Sequence, residues 1–289
     1  KKEFLISKKK INQNETWIYS AGFNLEKNSK NLSRIDEEIM DLKNLMDKNC
    51  RVFILTHQGD FKKKTSKHLN YLVGILKKKL NKNISYFGGK ITQKNLYKLK
   101  KRVKPKSIII VGNTRLLEGE QNNSAKLAKV YSILSDKTII GGFSKAHRKN
   151  ASNNSILNFT KGYLSNGIIC ELNKLKKWQN FSKKRYIIFL GGVKKEKAEI
   201  GLVHLAKNFK HVVPSGLILN TILKSLGYKI GASKHFKGKT LSLINGFLKK
   251  YKSKLILPET VITLNAISKK RKISPLTKIK KGDIISGYK

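Results

Sequence analysis

Short apolar runs interrupt the chain at nearly regular intervals. Trp17 to Phe23, Arg51 to Thr56, Ser107 to Val111 and Lys137 to Phe143 are apolar at consecutive positions, not only at every second one. Such continuity marks strands covered on both faces, as in a parallel sheet with helices on either side. Ile84 to Phe87, Tyr186 to Leu190, Lys210 to Val213 and Leu255 to Leu264 extend the set. Between them lie longer, lysine-rich segments of helical period: Asp36 to Asp47, Lys67 to Leu80, Ser124 to Leu134, Glu199 to Asn208 and Leu217 to Leu226. The alternation predicts βαβ units and an α/β fold with a doubly wound parallel sheet. Leu164 to Lys184 separates two groups of strands, and Glu171 to Trp178 within it has helical spacing. The expected organisation is a first domain over 1–163, a linking helix over 164–184 and a second domain over 185–289. Trp17 and Trp178 are expected in the core or at the hinge.

Charge changes this picture most. Sixty-three Lys and Arg stand against seventeen Asp and Glu, a formal net charge of +46. A compact state with so much charge of one sign repels itself unless a polyanion neutralises it. An AT-biased coding sequence explains part of the lysine count, but it does not explain the shortage of Asp and Glu. Because the lysines run along the whole chain and not along one amphipathic helix, a large enveloping partner such as structured RNA fits better than a membrane surface. No run approaches the ~18 apolar residues of a membrane span. The chain starts at Lys1 instead of methionine, which leaves an organellar leader open. Cys50 and Cys170 have no metal-ligand spacing and are expected to be buried free thiols.

In an open parallel sheet, ligands sit outside the carboxyl ends of the strands. Polar groups follow the apolar runs: Asn24, then His57 and Gly59, then Asn113 and Arg115, then His147 and Arg148, and later Gly191, Gly192 and Lys194. Taken together they predict an anion-binding rim.

These residues, in this order, resemble phosphoglycerate kinase from about Trp17 to Ala266. Ala21-Gly22-Phe23-Asn24 stands where that family has V-D-F-N, and Thr56-His57-Gln58-Gly59-Asp60 where it has S-H-L-G-R. Gly112 to Glu120 looks like E-N-T-R-F-x-x-G-E, and Ala146 to Ser152 looks like A-H-R-A-H-A-S. Leu190 to Lys194 is similar to L-G-G-A-K, Leu226 to Gly231 to L-G-Y-x-I-G, and Leu257 to Val261 to L-P-x-D-V. The resemblance implies two Rossmann-like domains joined by a hinge helix, the first holding 3-phosphoglycerate on a basic patch and the second Mg-ATP. Arg34, Arg115 and Arg148 match the patch, Asn24 and His57 match polar substrate contacts, and Gly191, Gly192 and Lys194 match the nucleotide side.

Departures from the pattern are equally specific. The motif aspartate is Gly22, the arginine after the glycine is Asp60, and a second lysine of the nucleotide side is Glu199, with Lys197 nearby. Pro214-Ser215-Gly216 replaces a glycine triplet, Thr260 replaces an aspartate, and the chain stops before the W-N-G-P and G-G-G-D-S segments, so a truncated second domain is expected. Arg34 and Lys194 then stand as vestiges of catalysis, with no metal site and no cofactor. The expectation is a non-catalytic, structural RNA-binding component of a ribonucleoprotein, in contact with ribosomal RNA and neighbouring subunits, most specifically in a mitochondrial ribosome. An active, cytoplasmic phosphotransferase using Mg-ATP is the alternative, and an assembly or membrane-attached factor a third.

Overall fold

The computed structural model describes residues 5, 6, 9–179 and 186–288, with the side chains at 177–179, 205 and 288 outside that description. The expectation for Trp178 and the end of the linking helix therefore lie outside the described residues. The chain divides into two compact units, Lys1–Gln179 and Asn180–Lys289.

The first unit runs β1 (Thr16–Ser20), α1 (Ser33–Asp47), β2 (Arg51–Leu55), α2 (Leu72–Leu80), β3 (Asn83–Phe87), α3 (Gln93–Arg102), β4 (Ser107–Val111), α4 (Glu118–Gln121), α5 (Ala125–Ser132), β5 (Lys137–Ile140), α6 (Phe143–Ala146), β6 (Lys161–Leu164) and α7 (Asn166–Gln179). Its six strands pair in parallel in the order β3-β4-β2-β1-β5-β6. The unbroken apolar runs explain why. In a strand, successive side chains face opposite ways. Trp17, Tyr19, Val52, Ile54, Ile108 and Ile110 accordingly pack with α1 and α2 on one face. Ile18, Phe53, Leu55, Ile109 and Val111 pack with Leu96 of α3 and with Ala128 and Tyr131 of α5 on the other.

Strand order reverses at β1, which has β2 on one side and β5 on the other. At such a switch point open sheets bind ligands in a crevice outside the carboxyl ends; here the loops after β1 and β5 meet backbone on backbone at its base, where a Cβ on Gly22 would stand 2.4 Å from Gly142 Cα. Both strands stop earlier than their apolar runs suggest. Gly141 N still donates to Ser20 O (2.9 Å), but Gly22 N leaves the ladder for the carboxylate of Glu38 (2.8 Å).

The second unit contains β7 (Ile187–Leu190), a π-helical segment Lys197–Leu205, β8 (His211–Pro214), α8 (Gly216–Ser225), α9 (Gly238–Tyr251), β9 (Thr260–Asn265), β10 (Arg271–Pro275) and β11 (Asp283–Tyr288). Among the described residues its parallel sheet is the β7–β8 pair, prolonged by a bridge between Val212 and Leu255. The run from Leu255 to Leu264 does not form one strand. Beyond Pro258 the chain enters a three-stranded antiparallel sheet, β10-β9-β11. Cys50 is a buried free thiol as expected, whereas Cys170 is exposed on α7. Among the described residues no helix is long and apolar enough to cross a membrane.

Candidate functional site

The carboxyl ends of the first unit's strands gather the expected cations. His57 follows β2 and is buried at 8% exposure. Burial, and then the charges of Lys145, Arg115, Arg148 and Arg34, pushes its imidazole down to about 3. The three expected arginines thus all act on His57 through their charge, and at neutral pH the ring is an uncharged group inside a cationic field. Arg115 lies in a single turn after β4; its Nη1 donates to Gly59 O (2.9 Å), and its buried Nε has no acceptor. Arg148 is exposed after α6, Arg34 is half-buried in the first turn of α1, and Asn24 is exposed in the left-handed region at φ 37°.

Three further residues hold this rim in place. Asn113 donates to the carbonyls of Gln58 and Lys67 (both 2.8 Å) and accepts from the backbone of Gln58 and Arg115. It is a clamp between the loops after β2 and β4, not a ligand. Asn153 donates to the carbonyl of Arg148 (2.9 Å), while Glu120 accepts from Ser152 N (3.1 Å), which fixes the Arg148 loop. Asp60, standing where the family has an arginine, accepts from Gln121 Nε2 (2.9 Å) and from Lys63 N (3.0 Å). Those bonds hold its carboxyl below the usual carboxylate range and tie it both to α4 and to its own loop.

The floor of the crevice was missed by sequence reasoning. Lys145 of α6 is buried, and its Nζ donates to Ser20 Oγ at the end of β1. Glu38 of α1 lies beside it, with Oε1 accepting from Gly22 N and Oε2 buried without a partner. Burial raises the pKa of Glu38 and lowers that of Lys145, and each opposes the other's shift. Asp41 and Tyr19 complete the cluster, with Tyr19 Oη donating to Asp41 (3.4 Å). Position 22, which lacks the motif carboxylate, thus has the buried carboxylate of Glu38 from α1 on its backbone N–H. A signal was present: Ile35, Leu42, Leu45 and Met46 are the apolar stripe of α1, and Glu38 and Asp41 fall on the same stripe.

A pH prediction follows from His57. Its folded pKa lies below that of an unfolded histidine, near 6.5, so between about 6.5 and about 3 the unfolded chain binds a proton that the folded one does not. Stability should therefore fall with falling pH across that window, by on the order of 5 kcal/mol from this group. In His57→Gln that part of the acid limb should flatten in urea titrations. An unchanged limb would contradict the burial of a neutral imidazole.

On the second unit, Gly191 and Gly192 follow β7, Gly192 with φ 124°, and Lys194 is exposed. A Cβ on Gly191 would stand 1.7 Å from Ser215 Oγ, so this turn is pressed against the start of α8. Glu199, at the matching lysine position, accepts from Thr240 Oγ1 of α9 (2.9 Å).

The sequence profile described as Phosphoglycerate kinase matches residues 21–287. The phosphoglycerate kinase of Mycoplasmopsis pulmonis is 30% identical over 234 residues, 78% of this chain and 30% of that protein. That of Wigglesworthia glossinidia brevipalpis is 34% identical over 171 residues, 57% of this chain and 42% of that protein. This chain thus spans less than half the length of these two relatives. The solved structure of phosphoglycerate kinase from Coxiella burnetii superposes with a TM-score of 0.75 at 25% identity, covering 97% of this chain and 72% of that one. A switch-point crevice ringed by Arg34, His57, Arg115 and Arg148, carried on motifs in the family's order and matched over nearly the whole length, leaves one assignment: the chain belongs to the phosphoglycerate kinase family.

Proposed function

We propose that this chain is a non-catalytic member of its family that serves as a structural RNA-binding component of a ribonucleoprotein, with the ribosomal RNA of a mitochondrial ribosome as the specific partner. The observation that carries this reading is unpaired charge. Against 63 Lys and Arg, the described residues form five ion pairs. The fold also withdraws Glu38, Asp41, Glu120 and Asp283 from the surface, which makes the exposed face more basic than the composition alone. A nucleic-acid backbone carries about one charge per 1.7 Å of duplex and neutralises such a surface. Lysine is a mobile point charge, not a bidentate fork, so most contacts should be to phosphate with little base reading. The Lys, Asn and Ile-rich composition supports an organelle with AT-biased coding.

Loss of catalysis is supported by three placements. Asp60 brings an anion beside the phosphate-facing rim, Glu199 is engaged with α9, and Lys194 stands exposed. Phosphoryl transfer relies on cations positioned around the moving phosphoryl group. The convergence of Arg34, His57, Arg115 and Arg148 favours one second reading, an active phosphotransferase for a phosphorylated acid. In that case the Gly191-Gly192 turn and Lys194 would face the phosphates of Mg-ATP.

The full chain isolated from its own cells in low salt should carry ribosomal RNA. In a coupled ADP/ATP assay it should show no turnover above Lys194→Ala. Turnover that this substitution abolishes, from a chain free of RNA, would sink the non-catalytic reading.

A further inference from the structure

The second unit has a cationic cavity of its own, about 720 Å³ in volume. Lys224, Lys229, Lys280 and Lys281 line it together with Tyr228, over a floor that includes Ile230 and Ile279. None of the four lysines forms an ion pair among the described residues. The neighbouring carboxylate, Asp283, is buried and already engaged: it accepts from Lys280 N and pairs with Lys272 Nζ, both at 3.1 Å. The lining residues include no carboxylate to answer the four ammonium groups.

The wall is also built to hold its shape. Gly231 sits at φ 59°, where a Cβ would stand 2.2 Å from Asp283 O and 2.5 Å from Lys280 O. Ala232 N donates to Asp283 O (2.8 Å), and Asp283 N closes the turn onto Lys280 O (3.0 Å). The loop bearing Lys229 and the turn bearing Lys280 and Lys281 are therefore pressed together, backbone on backbone. On the third side Lys224 Nζ meets His235 Nε2 at 2.9 Å, a contact that needs an unprotonated acceptor nitrogen. Tyr228, at the end of α8, keeps 37% of its surface exposed beside this cluster.

We propose that this cavity is a nucleotide pocket, in which one unpaired nucleotide of a single-stranded RNA segment places its phosphates on the lysines and its base against Tyr228. The inference rests on the RNA-binding reading above and narrows it. Bases stack on exposed aromatic rings without regard to sequence, and lysines track phosphates in the same indifferent way. The apolar floor of Ile230 and Ile279 suits the face of a base better than it suits a bare phosphate.

The test uses the full chain, a fluorescent short oligouridylate and the same oligomer without bases, at physiological ionic strength. Tyr228→Ala should weaken the oligouridylate by roughly 10-fold and leave the abasic oligomer within about twofold. Tyr228→Phe should retain binding of both. Lys229→Glu with Lys281→Glu should weaken both oligomers at least about 10-fold more than Lys94→Glu with Lys98→Glu, an equal change of charge on exposed α3. Equal losses from the two reversals would reduce the lysines to diffuse charge and overturn the pocket. Equal effects of Tyr228→Ala on both oligomers would overturn the base contact. A wild-type chain that binds structured RNA but neither oligomer sinks this inference alone, whereas one that binds no RNA at all sinks the function reading with it.

Discussion

A Gly141→Ala chain is expected to lose much of the stability of its first unit. The new Cβ would stand 2.1 Å from Glu38 Oε2 and 2.8 Å from a ring carbon of Tyr19, and all three residues are buried. Glu38 cannot simply swing aside, because its other oxygen accepts from Gly22 N at 2.8 Å, and Gly22 in turn packs against Gly142. Relief would require leaving a buried N–H unpaired or moving two strand ends apart. Overpacking and a lost buried hydrogen bond together cost about 3 kcal/mol or more. For a unit of this size that corresponds to a fall in Tm of roughly 6–12 °C. The double variant Gly141→Ala with Glu38→Ala should recover part of the loss, since removing the carboxylate makes room. A midpoint within about 2 °C of wild type, or no recovery in the double variant, would show that Glu38 is not wedged beneath the crevice.

Salt should act even more strongly on RNA binding. If six or more lysines engage phosphates, raising monovalent salt from about 50 to about 200 mM weakens the complex with structured RNA by about 10³-fold, through release of condensed counterions. Exposed ammonium groups without carboxylate partners have no internal neutralisation to fall back on, so the response should be near that limit. Filter binding across the salt series gives the slope of log K against log salt. A slope shallower than about −2 would mean that only one or two phosphates are neutralised, and the enveloping partner would have to be abandoned.

Most of the first unit's sheet was legible because its central strands are apolar without interruption, a pattern that survives translation into any doubly wound fold. The edges were harder. β6 (Lys-Gly-Tyr-Leu) buries only Tyr163 deeply and pairs along its length with β5 alone, its other side meeting Leu5 through one bridge at Leu164, so its local sequence carries little strand signal. α3 escaped notice for a related reason, since Leu96 is its one fully buried residue among lysines. α9 does have the helical period in Thr240, Ile244, Phe247 and Leu248, but glycines at 238 and 246 and a threonine at the first core position disguise it. Of the antiparallel sheet only β9 fell within a run read as a strand, and β10 escaped notice because its one buried residue, Ser274, which hydrogen-bonds Thr263 of β9 at 3.1 Å, looks like a surface residue in sequence.

The candidate site divides along the same line. His57, Arg115 and Arg148 were legible because each follows an apolar run at a position fixed by topology, and Arg34 only through the family resemblance. Glu38 was not, since it stands within an acidic triplet that also describes a solvated helix face.

Sequence alone determined the α/β class, the family, the cationic excess and the rim of strand-end cations, because each depends on residue type and spacing along the chain. Tertiary structure decided which charges are withdrawn from water, that the Glu38 carboxylate takes the N–H of Gly22, that Asp60 is tied to α4 as well as to its own loop, and that four lysines and a tyrosine share one cavity. The physical reason is that burial and the pairing of charges depend on neighbours tens of residues away in the chain, whose distances no local pattern encodes.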